Sequence, residues 1–207
     1  MQFSDMQTQV KNLIDDTNGT AVSSSDVIAA LNAALDFWKN KRFWFNETVD
    51  TAVTFTVDTA AIGDMPTDLL YPLQRGGIVL NYQSRRYELT KVSAEIYDMM
   101  NAEVSARPMY YTYRSGAYEV YPYPDQAYTG VVRYIKDYTA LADDTDTNDF
   151  TDNAPWLLIY DASSRIAGDR LQDLDMSAKH SMSADKEYKA LMGRTNRLNS
   201  TGSHAVY

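Results

Sequence analysis

Apolar residues between about positions 4 and 45 recur at steps of three and four, the spacing that lines up side chains on one face of an α-helix. Met6, Val10 and Leu13 outline a first helix. Ser4 or Asp5 can cap its start, and Asn18-Gly19 signals its end, because glycine enters the left-handed region at little cost. Ser23-Ser24-Ser25-Asp26 then offers side-chain oxygens to the unpaired N–H groups of a new first turn. Ile28, Leu31, Leu35 and Trp38 follow on one face, with Val27 and Ala34 beside them, which predicts an amphipathic helix of about 18 residues. It runs into the aromatic cluster Phe43-Trp44-Phe45.

From residue 47 to about 140 the period shortens to two. Val53, Phe55 and Val57 alternate with threonines in a strand over Thr51–Val57. Ile78–Tyr82 and Arg86–Leu89 read as a hairpin around Gln83-Ser84-Arg85, and Met109–Arg114 and Ala117–Tyr121 as a second around Ser115-Gly116. Val131–Ile135 gives a further strand, and a short helix over Ser93–Met100 interrupts the sheet. Twelve of the 16 tyrosines fall between Tyr82 and Tyr138, where strands favour a ring that is half buried and half wet.

Helical spacing then returns. Asp143–Asp152 holds five aspartates and no basic residue and reads as a solvated linker. Pro155 suits a first helical position, where a missing N–H leaves no bond unmade. Trp156, Ile159, Ala162, Ile166, Ala167 and Leu171 or Leu174 continue that helix, and a last one over Ala184–Leu198 shows Tyr188, Leu191 and Met192 on one face. The expected class is α+β: a helical bundle from residues 1–46 and 153–198, a β-rich antiparallel insertion over 47–142, the acidic linker over 143–152, and a tail over 199–207.

Composition narrows the chemistry. The chain has 207 residues, long enough to bury a sizeable core, and a hydrophobic content of 44% that fits a folded chain. It has no cysteine, which removes disulfides, thiolate catalysis and Cys-ligated metals. Its net charge of −9 opposes tight binding to a phosphate backbone. No apolar run is long enough to span a membrane, and MQFSDMQTQV lacks the charged and apolar regions of a signal peptide, so synthesis and folding are expected in a cytoplasm. Without a secretory signal, the glycosylation patterns at Asn18, Asn46 and Asn199 carry no argument.

Candidate chemistry is thin. The two histidines, His180 between two helices and His204 in the tail, read as solvent-exposed, and no G-x-S-x-G elbow supplies a nucleophile. Gly76-Gly77 is not followed by the Lys and Ser or Thr of a phosphate loop, so it reads as a bend before the strand at Ile78. Asp144, Asp146 and Asn148 match the first ligand positions of a calcium loop, but Asp149 replaces its glycine and Pro155 its bidentate glutamate. No metal, cofactor or catalytic residue is assigned, and no enzymatic activity is expected. A tyrosine-rich sheet presenting a coplanar row of rings to carbohydrate or peptide is an alternative function. A hydrolase built on scattered acids is a third.

The order of these pieces resembles the head-to-tail adaptor, or connector, proteins of short-tailed and related bacteriophages. The resemblance runs from about residue 4 to 195 and rests on several short segments. A capped helix carries Leu31-Asn32 and ends in Phe43-Trp44-Phe45-Asn46. Met65-Pro66-Thr67-Asp68 is a variant of an L-P-x-D segment. Arg107-Pro108 precedes a tyrosine hairpin closing on Val120-Tyr121-Pro122-Tyr123-Pro124, and the acidic linker leads into Ala154-Pro155-Trp156-Leu157-Leu158.

The resemblance implies a structural virion protein of the neck, assembled in the host cytoplasm as a ring, generally a dodecamer, beneath the portal. Its partners would be the portal protein, tail or nozzle proteins, and further copies of itself. DNA would pass through without being held, and no membrane is involved. Ring closure needs two different faces that meet, for which exposed aromatics are suitable anchors. The candidate portal or subunit interface comprises Phe43, Trp44, Trp156, Arg194, Arg197, Val206 and Tyr207.

Overall fold

The computed structural model describes residues 1–100 and 104–199. The chain is α+β, in the order α1 (Phe3–Leu13), α2 (Ser24–Trp38), β1 (Glu47–Phe55), β2 (Ile62–Gly63), β3 (Leu69–Pro72), β4 (Ile78–Tyr82), β5 (Arg85–Glu88), β6 (Thr90–Lys91), α3 (Ala94–Asp98), β7 (Tyr110–Arg114), β8 (Ala117–Tyr121), β9 (Tyr128–Lys136), α4 (Asp149–Asn153), α5 (Pro155–Asp169) and α6 (Leu174–Asn199). Two compact units result: residues 1–46 with 138–207, and residues 47–137.

In the helical unit, Ser23 caps α2 by accepting from Asp26 N, and α5 starts at Pro155 as expected. Val27, Leu31, Ala34, Leu35 and Trp38 of α2 are buried, as are Leu157, Leu158, Ile159, Ala162 and Ile166 of α5, and α1 adds Phe3, Met6 and Val10 to the same core. The first helix stops earlier than Asn18-Gly19. It ends at Leu13, because Asp15 turns left-handed at φ 55° and the Asp16 carboxylate gathers the N–H groups of Thr20, Ala21 and Val22. Those bonds, led by the one from Ala21, hold the Asp16 carboxyl below the ordinary range. Its start also differs: Gln2 is the N-cap, and Asp5 accepts from the Gln2 N–H at 3.3 Å.

The acidic stretch is more ordered than a solvated linker. The N–H groups of Phe3 and Ser4 donate to the carbonyls of Asp146 and Asp144. The Asp146 carboxylate takes the N–H groups of Ala142 and Asp143, and Asn148 caps α4 through Phe150 and Thr151. Two of the three residues that matched a calcium loop thus have their side-chain oxygens turned onto backbone.

The largest departure lies at α6, which begins ten residues before the expected Ala184. Asp173 caps it, accepting from Met176 N at 2.9 Å. The early turns pack through small and polar groups. Ser177 and Ser164 each donate to the other's carbonyl at 2.9 Å, and a Cβ on Gly168 would sit 3.2 Å from Ser177 Oγ.

The β unit holds two sheets. The larger runs β2-β1-β9-β4-β5, and β3 pairs with the end of β9 beyond β4; the smaller runs β6-β7-β8. Pairing is antiparallel except for β6 with β7. Val53, Phe55, Ile78, Leu80 and Val132 of the larger sheet share a core with Leu89, Tyr111 and Val120. Both expected hairpins form around two-residue turns with positive φ, Gln83-Ser84 (49° and 60°) and Ser115-Gly116 (51° and 84°), a geometry that matches strand twist.

β1 lies upstream of its predicted span and leaves Val57 exposed. A register shift between Thr48 and Thr51 puts Asp50 at φ 58°, where its carboxylate meets Arg86 at 3.0 Å and Arg133 at 3.0 Å. These guanidiniums, Arg86 first, hold Asp50 below the usual carboxylate range.

Candidate interaction surface

The aromatic segment after α2 is shaped by Asn46, whose side chain is fully buried. It accepts from Phe43 N at 2.8 Å and donates to the Lys41 carbonyl at 2.8 Å, folding the chain back on itself. Phe43 and Phe45 stack at 5.1 Å, and Phe150 meets both edge-on, at 5.8 and 5.0 Å. Phe43 is 0% exposed and also touches Tyr188, so in this conformation it holds the helical unit together and offers no ring to a partner.

Trp44 points differently. It is partly exposed, and the Arg194 guanidinium lies 4.2 Å over its ring, so these two candidate residues form one cation–π patch. Arg197 lies one turn further along α6, exposed, with Nε donating to the Gly193 carbonyl. Trp156 occupies the first turn of α5, 38% exposed. Val206 and Tyr207, like His204, lie outside the described residues.

Sequence reasoning missed Phe37. It is 50% exposed on α2, with the cations of Arg165 and Lys41 each 5.8 Å from its ring centre. Its position off the Ile28–Leu31–Leu35–Trp38 stripe was the available signal.

Behind Trp156 the ladder turns inward. Trp156 contacts Tyr160 at 5.6 Å, and Tyr160 stacks on the His180 imidazole at 6.3 Å. His180 is therefore not the exposed side chain expected between two helices: it is internal to α6 and 3% exposed. Its Nε2 lies 3.2 Å from the Leu13 carbonyl, an acceptor only, so Nε2 carries the proton. Burial pushes its pKa below 6.5, with the Leu13 bond and Asp15 opposing and Lys179 assisting.

The native state keeps His180 neutral at pH values where the unfolded chain takes up a proton, so its contribution is present above about 6.5 and is lost as pH falls through the lowered folded value. Melting temperatures from pH 7.5 to 5 are expected to fall for the wild type and to fall less for His180→Gln. Parallel pH profiles would refute this.

In the β unit, the rings of Tyr97, Tyr111, Tyr128 and Tyr134 are buried. Burial raises the hydroxyls of Tyr97 and Tyr118 to about 12. Tyr134 donates to Asp68 at 2.8 Å, which gives the Met65-Pro66-Thr67-Asp68 segment a local role. Ring pairs here meet at 50° to 80°, not in the coplanar row that a carbohydrate or peptide platform requires. A groove of about 550 Å³ lined by Met65, Leu69, Tyr113 and Tyr118 has Lys91 as its charged lining residue. Among the described residues no three His, Asp or Glu side chains converge as a metal site would need.

What the described surface presents is aromatic and ionic contact. The family model for the SU10 adaptor protein matches residues 1–206, and the chain belongs to that family. Membership agrees with the phage head-to-tail adaptor resemblance and implies a structural role. A search of curated proteins found no match. No helix among the described residues is long and apolar enough to cross a membrane.

Proposed function

We propose that the protein is the head-to-tail adaptor of a phage particle, forming a ring under the portal, generally of twelve copies, that extends the DNA channel and docks tail or nozzle proteins. The family match over residues 1–206 carries this reading. The helical unit supports it with accessible anchors at Trp44–Arg194, Trp156 and Phe37, the residue types that dominate interface energetics. Arg197, Val206 and Tyr207 complete the proposed contact set. The charge of −9 suits a conduit that DNA crosses without adhering. Assembly in the host cytoplasm precedes residence in the virion neck.

Mass photometry of the purified protein should give mostly monomer near 23.4 kDa. Adding portal protein should give a stable multimer, and Trp156→Ala should weaken its formation. A protein that stays monomeric at every portal ratio would overturn the reading.

A further inference from the structure

Among the described residues of the helical unit, the outward face of α6 is exposed. His180, Ala184 and Thr195 are buried on one side of the helix, and Lys179, Met182, Lys186 and Lys189 recur on the other at steps of three and four. Met182 is 74% exposed in a shallow hollow edged by Lys179, Lys186 and Asp175. Lys189 is held by Asp185 at 2.5 Å, but among the described residues neither Lys179 nor Lys186 has a carboxylate partner.

The same unit carries the opposite sign in residues 143–152. Three of the five aspartates there are engaged. Asp146 binds its own backbone, Asp149 accepts from the Tyr138 hydroxyl at 2.7 Å, and Asp152 faces the terminal ammonium at 3.5 Å. Asp143 and Asp144 are exposed, and among the described residues their carboxylates have no partner. Their backbone is nevertheless fixed, through Asp146 Oδ2 on Asp143 N at 2.9 Å and Ser4 N on the Asp144 carbonyl at 3.0 Å. Two carboxylates without a salt bridge thus stand on a preorganised edge, and two ammonium groups without a salt bridge flank an exposed methionine, with Asp175 at the rim of the same hollow.

We propose that these surfaces mate between copies: the α6 face of one subunit receives the Asp143–Asp144 edge of a second, with Lys179 and Lys186 pairing to the carboxylates around Met182. Because the patches differ, the contact is heterologous and propagates head to tail, the geometry a closed ring needs. A continuous phosphate backbone is the poorer occupant, since the whole chain carries a net charge of −9 and two separate lysines offer two discrete pairs, not a cationic track. Exposed pairs are individually weak, so the contact sets register and sign, and its strength accumulates over a ring. This rests on the reading of the protein as a ring-forming adaptor.

A charge swap tests it. Lys179→Glu with Lys186→Glu, and separately Asp143→Lys with Asp144→Lys, should each melt like the wild type yet lose portal-dependent assembly at about 0.15 M salt, where contact pairs still act. At least a tenfold weakening is expected in each. Mixing the two reversed proteins restores every opposite-charge contact in alternating order and should recover multimers. Wild-type assembly by both reversed proteins would overturn this contact and leave the adaptor reading standing. So would losses that the mixture fails to repair. Failure of the wild type itself to assemble would sink both. If Lys179→Glu with Lys186→Glu instead abolished duplex DNA binding and left assembly intact, the face would be a nucleic-acid surface, and the proposal would be wrong.

Discussion

Replacing Phe43 with alanine is expected to destabilise the helical unit by about 3–5 kcal/mol, the range for deleting a buried aromatic ring, and to lower its melting temperature on the order of 10 °C. The ring is 0% exposed, and its neighbours come from three parts of the chain: Phe45 at 5.1 Å, Phe150 at 5.8 Å and Tyr188 at 6.1 Å. The cavity left behind could not be filled by a small local adjustment. Trp44→Ala beside it, partly exposed under Arg194, should change the melting temperature far less. Thermal denaturation of the isolated protein followed by circular dichroism separates the two positions. Equal shifts, or a larger shift at Trp44, would contradict the assignment of Phe43 to the core.

Gly77→Ala should be as damaging, at about 3 kcal/mol or more, because the added methyl has nowhere to go. Its Cβ would lie 2.1 Å from the Leu73 carbonyl oxygen and 2.9 Å from Leu73 N, both backbone atoms. Retreat is blocked on both sides: Leu73 N donates to the Arg133 carbonyl at 2.8 Å, and Arg133 N to the Gly77 carbonyl at 2.7 Å. Gly76 next door has the left-handed φ of 63°, but a Cβ there would meet only the flexible end of Arg133 at an ordinary 3.6 Å, so Gly76→Ala should cost only about 1–2 kcal/mol. Melting curves of the two variants, followed through the tyrosine near-ultraviolet signal, test the order. A Gly77→Ala protein as stable as the wild type would show that the loop is not pinned to Arg133.

The glycine pair illustrates what the sequence made legible. Its reading as a bend rather than a phosphate cradle needed only the absence of the following Lys and Ser or Thr, and the bend is there, between β3 and β4, which pair along the same strand β9. Helix α2, the start of α5 and both tyrosine hairpins were likewise written in local signals: Ser23, Pro155, Ser115-Gly116 and a clear apolar period. The first turns of α6 were not, because their packing face is made of Ser177 and His180 against Ser164, Gly168 and Tyr160. Close approach of small and polar groups leaves no hydrophobic period to read, so a buried imidazole passed for an exposed one. The bulge at Asp50 was equally hidden, since its support comes from Arg86 and Arg133, far along the chain. Of the candidate surface, composition pointed to Trp44 and Trp156. That Arg194 covers Trp44 and that Phe43 turns inward are facts of tertiary packing alone.

The helical unit draws on residues 1–46 and again on 138–207, with the β unit complete in between. Synthesis on the ribosome therefore delivers all of the β unit before α5 and α6 exist, and domains generally fold as units when their chain has emerged. Leu31, Leu35 and Phe43 share their core with α1 but must wait for their remaining partners, Phe150 and the buried face of α5, translated more than a hundred residues later. During that interval the nascent chain is a client for chaperones, and a ribosome stalled past the β unit should expose a folded sheet beside a sticky, unfinished pair of helices.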